Sequence, residues 1–337
     1  PSAEILVVTG CHALDRVDWP DGVDRCALPP LDLDEAYGLS DSAPKMAKRA
    51  RLIGEAIDAF RPDLLLADTL PFGMRGELHD VVKRREPSFM KVLGMPYPFV
   101  KSDRASYPRR PSGAHLYDGL IAYTDPGTNP ILNTVPHTER RKPAYMGYVA
   151  DRAVAESEGG ERASPIPRVV VLNGGGSRLT ILPFLDEVLL PLAAEGRITV
   201  RVLAGILSRG EMAALYGGRQ GVEVIPQMSA AEAVQGADLV FSRCGYNTAL
   251  AVLQQRAPVV FAPERKMDEQ VQRATAFSRL DRVWMIEESP QALARVLPEA
   301  LASGRADRAL RLPLDGAANS ASWLHSAAGN WVCGRAS

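Results

Sequence analysis

An α/β protein of two parallel-sheet domains is what this 337-residue sequence predicts. Three observations carry that expectation. Short apolar runs alternate with helix-length stretches along the chain. The alternation stops between residues 150 and 167, where apolar residues give way to Glu, Ser, Gly and Pro, the composition of a linker. In the second half, three glycine-rich or polar loops each follow an apolar run directly and open a helix-like stretch, which gathers them at one edge of a parallel sheet.

Taken in order, the strand-like runs of the first half are residues 5–9, 64–67, 90–93 and 120–123. A helical period covers residues 45–60 and stops before Arg61-Pro62, because proline disfavours helix in the residue ahead of it. The second half repeats strand and helix regularly, with apolar runs at 169–172, 198–203, 222–225, 239–241, 259–262 and 283–286. A last helical piece at 317–327 belongs to a segment, 311–337, expected to return to the first domain. The division is therefore 1–150, a linker 151–167, 168–310 and 311–337, and no internal repeat or low-complexity tract interrupts it.

Composition narrows the function classes. With 46% hydrophobic and 23% charged residues the chain falls in the ordinary globular range. A net charge of −1 gives no global attraction to nucleic acid or to an anionic membrane, so at most peripheral membrane contact is expected. No apolar stretch reaches the length of a membrane span, and the first residues lack a basic stretch followed by an apolar signal core; the expected location is cytoplasmic. Cys11, Cys26, Cys244 and Cys333 form no C-x-x-C pair, which argues against a zinc site and a disulfide framework. Histidines 79, 115, 137 and 325 show no metal-ligand spacing. Asp32-Leu33-Asp34 has the D-x-D spacing of a divalent-ion site, but it follows Pro29-Pro30 without an adjoining apolar strand and reads as a solvated acidic turn. Seven lysines against 32 arginines, with abundant alanine, suggest a GC-rich bacterial genome.

The chemistry lies in the three loops. In the first, Gly174, Gly175 and Gly176 lack a Cβ, so the backbone can take positive φ and approach a ligand closely; Ser177 and Arg178 then lead into a helix whose first N–H groups are unpaired. Such a loop captures anions, although glycine triplets also serve as plain strand-to-helix turns. The second loop supplies Ser242, Arg243, Gly245, Tyr246, Asn247 and Thr248, with Arg243 a permanent cation suited to phosphate oxygens and Asn247 or Thr248 suited to capping a helix. In the third, Asp268, Glu269 and Gln270 place acceptors and an amide on one helical turn, suited to sugar hydroxyls or simply to a solvated first turn.

Together these segments resemble the donor half of the GT-B glycosyltransferases, in the bacterial branch of the peptidoglycan GlcNAc transferase and related predicted glycosyltransferases. The residues that carry the resemblance are Gly174 to Ser177, Ala237-Asp238 with Ser242 and Gly245-Tyr246-Asn247-Thr248, and Asp268-Glu269-Gln270 followed by Arg273-Ala274. It covers residues 165–290 well and the first half weakly. It implies two Rossmann-like domains facing a central cleft, with residues 1–150 binding the acceptor and 168–310 the nucleotide-sugar donor. In the resembled family a strand, a Gly-x-Gly-His loop and a helix precede the segment that residues 5–10 look like, so the N-terminal unit is expected to be incomplete; the competing expectation is that residues 5–10 are themselves the first strand, with Gly10-Cys11-His12 as its loop. One departure bears on nucleotide choice: where the branch has a Glu that contacts the ribose, this chain has Ala251, a loss of about 1.5–3 kcal/mol if nothing replaces it.

The resemblance implies a metal-independent, inverting transfer of a sugar from a nucleotide diphosphate, UDP favoured, to a small-molecule or lipid-linked acceptor, without a cofactor. Such a transfer needs a base and a stabilised diphosphate leaving group. Asp68, which ends an apolar strand, is the first candidate base and His12 the second; capping or binding of loop amides is the competing role for Asp68. The Pro-rich, aromatic and basic residues 95–118, with Lys101, Arg104, Arg109 and Arg110, form the candidate acceptor segment. Two other readings stay open: a nucleotide-sugar epimerase of the same fold, and a sugar-nucleotide-binding protein without turnover.

Overall fold

The computed structural model describes residues 3–11, 14, 19–32, 34–35, 40–84, 88–96, 113–127, 143–150, 165–174, 179–205, 208–225 and 228–336. The chain divides into two compact units, one of Pro1–Tyr123, Ile131–Met146 and Ala318–Ser337, the other of Thr124–Pro130 and Gly147–Ala317.

In the first unit, β1 (Ile5–Thr9) pairs in parallel with β2 (Val23–Ala27). Helix α1 (Ala43–Phe60) follows, with Pro44 in its first turn, where a missing N–H costs nothing. It ends on Arg61 at φ 52, whose N–H returns to the Ile57 carbonyl, because Pro62 cannot continue the helix. Its buried residues Arg49, Ile53 and Ile57 recur every four positions and form one face. Next come β3 (Leu64–Asp68), the short α2 (His79–Val82), β4 (Met90–Met95), a 3₁₀ turn (Gly113–Leu116), β5 (Gly119–Ala122) and β6 (Ala144–Tyr145). These strands make a second parallel sheet in the order β3-β4-β5-β6. Strand β2 is absent from the apolar pattern because Asp24 and Arg25 interrupt it and three of its five residues are exposed.

The second unit is one six-stranded parallel sheet of order β12-β11-β10-β7-β8-β9. It is built from β7 (Arg168–Leu172), β8 (Thr199–Leu203), β9 (Val222–Ile225), β10 (Leu239–Ser242), β11 (Val259–Phe261) and β12 (Val283–Met285). Between them run α3, which passes from Leu182–Phe184 through a π-helical turn (Leu185–Leu189) into Leu190–Ala194, α4 (Arg209–Tyr216), α5 (Ala230–Ala233), α6 (Tyr246–Leu253), α7 (Asp268–Phe277) and α8 (Pro290–Ala302). The widened π turn accommodates Pro191, which has no N–H to return to the preceding turn. Val169, Val171, Val202 and Phe241 pack into a core with α3 and α8; Val170, Leu172, Val240 and Val259 pack into another with α6 and α7. Alternate residues are therefore buried on both faces, which is why these strands read as continuous apolar runs. The Asp238 carboxylate accepts the Arg168 N–H at 2.8 Å, and the Asp238 N–H bonds the Arg168 carbonyl at 2.8 Å, clamping the starts of β7 and β10.

The last helix, α9 (Gly316–Ala336), packs Trp323, Leu324, Ala327 and Trp331 against Met90, Val92, Ile121 and Met146 of the first unit, while the Asn319 amide donates to the Met146 carbonyl at 2.8 Å. Among the described residues no helix is long and apolar enough to cross a membrane.

Candidate functional site

Strand order in the second unit fixes where a ligand can sit. The chain moves outward from β7 through β8 to β9, then returns to β10 on the other flank of β7 and continues to β11 and β12. The direction of winding thus reverses between β7 and β10, whose C-terminal residues Leu172 and Ser242 are register partners; Ser242 in turn pairs with Phe261 of β11. Loops leaving adjacent strands on opposite sides open a crevice at that point. The three motif loops are those that leave β7, β10 and β11.

In the first loop, Gly174 lies at φ +59, a left-handed conformation, with open space where a Cβ would stand. Gly175, Gly176, Ser177 and Arg178 lie outside the described residues, as does His12. Asn173, just ahead, is buried; its amide donates to the Ala204 carbonyl at 3.4 Å and to the Ser208 hydroxyl at 3.3 Å, tying the loop after β7 to the loop after β8.

The second loop is held more rigidly than its sequence suggested. Ser242 is buried at the end of β10. Cys244 follows at φ +65, strained for a side-chain-bearing residue, and its carbonyl accepts Arg273 Nη1 at 2.7 Å. Burial pushes the Cys244 thiol up to about 12, which suits a small packing residue rather than a nucleophile. Gly245 is the N-cap of α6 and no side-chain cap is present, so Asn247 and Thr248 are not caps. The first bond within the helix runs from the Ala249 N–H to the Gly245 carbonyl at 2.8 Å. The amides of Asn247 and Thr248 therefore precede the helix's own bonding pattern, at the positive end of its dipole; the Asn247 side chain is exposed. Tyr246 instead faces the body of the unit: its hydroxyl accepts the Val149 N–H at 2.9 Å and its ring lies 5.4 Å from the Arg273 guanidinium.

Arg243 is buried, and its guanidinium is largely occupied by the protein. Nη1 donates to the Ala262 carbonyl at 2.8 Å, Nη2 to the Thr180 carbonyl and to Glu288 at 3.0 Å, and the group stacks over Phe184 at 5.0 Å; Nε has no partner among the described residues. It joins the loops after β7, β10, β11 and β12, so its first effect is to hold them in register. Glu288 completes that tie by accepting the Arg265 N–H at 3.0 Å. Sequence reasoning passed over Glu288; the available signal was its place in a fourth strand-end loop, just ahead of the α8 N-cap Ser289.

In the third loop, Glu269 and Gln270 lie in the first turn of α7; the side chain of Asp268 is outside the described set. The Gln270 side-chain oxygen accepts the Glu264 N–H at 3.0 Å, and the Glu264 carboxylate accepts the Thr180 hydroxyl at 3.3 Å. Gln270 thus shapes the loop.

In the first unit, Asp68 ends β3. Its side chain is exposed at the strand end, yet partial desolvation by its surroundings raises its pKa above the ordinary carboxylate value, opposed by a hydrogen bond from the Thr69 hydroxyl at 3.2 Å. Thr69 sits at φ +67 inside a tight turn in which the Leu70 N–H reaches back to the Asp68 carbonyl at 2.8 Å. A β-branched residue in that region stores strain of about 1–3 kcal/mol, and such strain clusters at functional sites. The D-x-D turn is locally satisfied: Asp32 accepts the Glu35 N–H at 2.8 Å, Glu35 accepts the Asp32 N–H at 3.0 Å, and Lys45 pairs with Glu35. Residues 97–112 of the candidate acceptor segment lie outside the described residues.

No family model and no curated protein matches this sequence. Solved structures do. A protein from Listeria monocytogenes described as a UDP-N-acetylglucosamine 2-epimerase superposes with a TM-score of 0.59 at 13% identity, over 94% of this chain and 85% of that one. The glycotransferase of kitacinnamycin gives 0.57 at 16% identity over 83% and 79%, and MurG of Acinetobacter baumannii 0.51 at 13% over 88% and 82%. The chain has the GT-B glycosyltransferase fold. Within the GT-B fold, the crevice between β7 and β10 holds the left-handed Gly174 and Cys244, and the end of β3 holds the left-handed Thr69 beside Asp68, whose pKa is raised.

Proposed function

We propose that this protein is a glycosyltransferase that moves a sugar from a nucleotide diphosphate to an acceptor hydroxyl. One observation carries the reading: the reversal of strand order between β7 and β10 brings Gly174 at positive φ and the side-chain-uncapped N-terminus of α6 to adjacent strand ends. Backbone amides and a helix dipole at such a point suit a diphosphate without a bridging cation, so transfer is metal-independent. Gly174 to Arg178 and the amides of Asn247 and Thr248 hold the diphosphate, the turn of Asp268, Glu269 and Gln270 meets the sugar, and Arg243 acts chiefly by fixing those loops. UDP is the favoured nucleotide, on the resemblance to the peptidoglycan branch, with Ala251 lowering affinity for it. Asp68, a carboxyl with a raised pKa at a strand end, is the base that accepts the acceptor's proton in an inverting displacement.

The superposition on an epimerase favours a second reading, in which the same donor site isomerises the sugar. Mass spectrometry separates the two. Incubation with a panel of nucleotide sugars and a host extract should give a product heavier than its acceptor by one sugar residue, together with free nucleoside diphosphate. A donor-derived product of unchanged mass would establish epimerisation, and ligand binding with no product at all would leave a non-catalytic binding protein.

A further inference from the structure

The base proposed above stands at the start of a loop built around a buried ion pair that the transfer itself does not use. From Asp68 to α2 the backbone turns through left-handed residues at Thr69, Gly73 and Gly76, with φ +67, +76 and +100. Short-range bonds chain it together: the Leu70 N–H reaches the Asp68 carbonyl at 2.8 Å, and the Gly73 N–H the Leu70 carbonyl at 2.9 Å. Gly73 in turn rests on Glu77, so closely that a Cβ there would come within 2.8 Å of the Glu77 carboxyl carbon. The loop therefore wraps around that carboxylate, and a displacement of Glu77 passes through Gly73 and Leu70 to Asp68.

Glu77 and its partner Arg49 of α1 are each only 7% exposed. Oε2 of Glu77 accepts the Arg75 N–H at 2.8 Å, while Oε1 accepts Arg49 Nη2 at 2.8 Å and Nε at 3.2 Å. The same guanidinium donates through Nη1 to the Pro29 carbonyl, just past β2, at 2.6 Å, and lies so near Gly10, just past β1, that a Cβ there would strike it. One cation thus ties the loop after β3 to the segments that leave β1 and β2. With both oxygens bonded and out of solvent, Glu77 is no second base. Nor does stability call for charge at this place: taking each ion out of water costs several kcal/mol, and well-packed apolar side chains of similar volume stabilise as well or better. What the pair adds is direction, because a forked guanidinium and a carboxylate accept only a narrow set of geometries.

We infer that Arg49 and Glu77 are positioning residues for the transfer: together they hold the loop after β3 in the arrangement that presents the Asp68 carboxylate to the acceptor hydroxyl. The inference rests on the reading of Asp68 as the base. A misplacement of about 1 Å at such a group is enough to cost about 10²-fold in rate.

The paired substitution of Arg49→Met with Glu77→Leu tests it, since it removes the directed bonds, keeps the volume, and should leave cooperative melting near that of the parent. Hydrogen exchange on the full chain, without substrate, is expected to quicken by about tenfold or more at the amides of Leu70 and Gly73, while Val92 and Leu93 of β4 keep their protection. With the nucleotide sugar and host extract that give turnover in the panel above, kcat should fall by about 10²-fold and KM for the nucleotide sugar stay within about twofold. Glu77→Asp, which keeps the charge on a shorter side chain, should fall between parent and double variant. Parental exchange in the loop, a loosened loop with parental kcat, or a rise in KM that accounts for the lost rate would each overturn the inference. Asp68→Asn separates the two readings. If that variant transfers as fast as the parent, the base reading falls and the inference with it; if it is impaired while the double variant is fully active, the inference alone is overturned.

Discussion

Gly174 shows what a residue-level reading can and cannot deliver. The absence of a Cβ in Gly174-Gly175-Gly176 announced positive φ, and Gly174 is found at +59 with no atom near the position of a Cβ. Gly174→Ala therefore costs backbone strain and no clash, and should lower unfolding free energy by about 1 kcal/mol in urea titrations. Arg243 taught the opposite lesson. A cation in a phosphate-type loop reads as a ligand, but burial against Ala262, Thr180 and Glu288 makes it a tie first, and its partners lie 19, 63 and 45 positions away, beyond any local pattern. Asp68 yields a signed prediction. Its folded pKa is raised, so the folded state binds that proton more tightly than the unfolded chain; the resulting cost is absent where both states are protonated, below about pH 3.9, and complete once pH exceeds the folded pKa. Because solvent screens this exposed carboxylate, Asp68→Asn should be only slightly more stable than the parent near neutrality, with the difference closing as pH falls through the carboxylate range, while transfer drops by about 10²- to 10⁴-fold. Melting curves at pH 7 and pH 4 read the first part; a less stable variant at pH 7 would refute it.

Among elements, the central strands of the second unit, β7, β10 and β11, were the most visible in the sequence because both faces are buried and all but their end residues Arg168 and Ser242 are apolar, whereas β2, with Asp24 and Arg25 on an edge, and the two-residue β6 carry almost no such signal. The helix at 43–60 was found from its period, and its end from Pro62. Helix α9 is legible as a helix, but the packing partners of its tryptophans are not, since they lie some 200 residues earlier. Trp323 rests over Gly119, where any added Cβ would meet its ring. Trp323→Ala should cost about 2 kcal/mol, for a half-buried side chain, and lower the urea midpoint without changing secondary-structure content.

At the scale of the molecule, α/β class and parallel sheets followed from alternation alone, and the structural likeness to GT-B proteins at 13–16% identity agrees with that class. Strand order did not follow from the sequence: nothing in the apolar runs says that β10 returns beside β7, because that pairing is set by which edge of β7 is free once α3 and β8 have docked. The functional reading depends on that order, since it makes two loops some 70 residues apart into one crevice. Whether this crevice holds a nucleoside diphosphate through amides rather than a metal is decided by melting the protein in the presence of UDP, dTDP and GDP. The midpoint is expected to rise with the logarithm of diphosphate concentration for at least one of the three, to be unaffected by magnesium, and to move less in Arg243→Ala. Melting curves that stay put with all three nucleotides, or that shift only when magnesium is added, would contradict it.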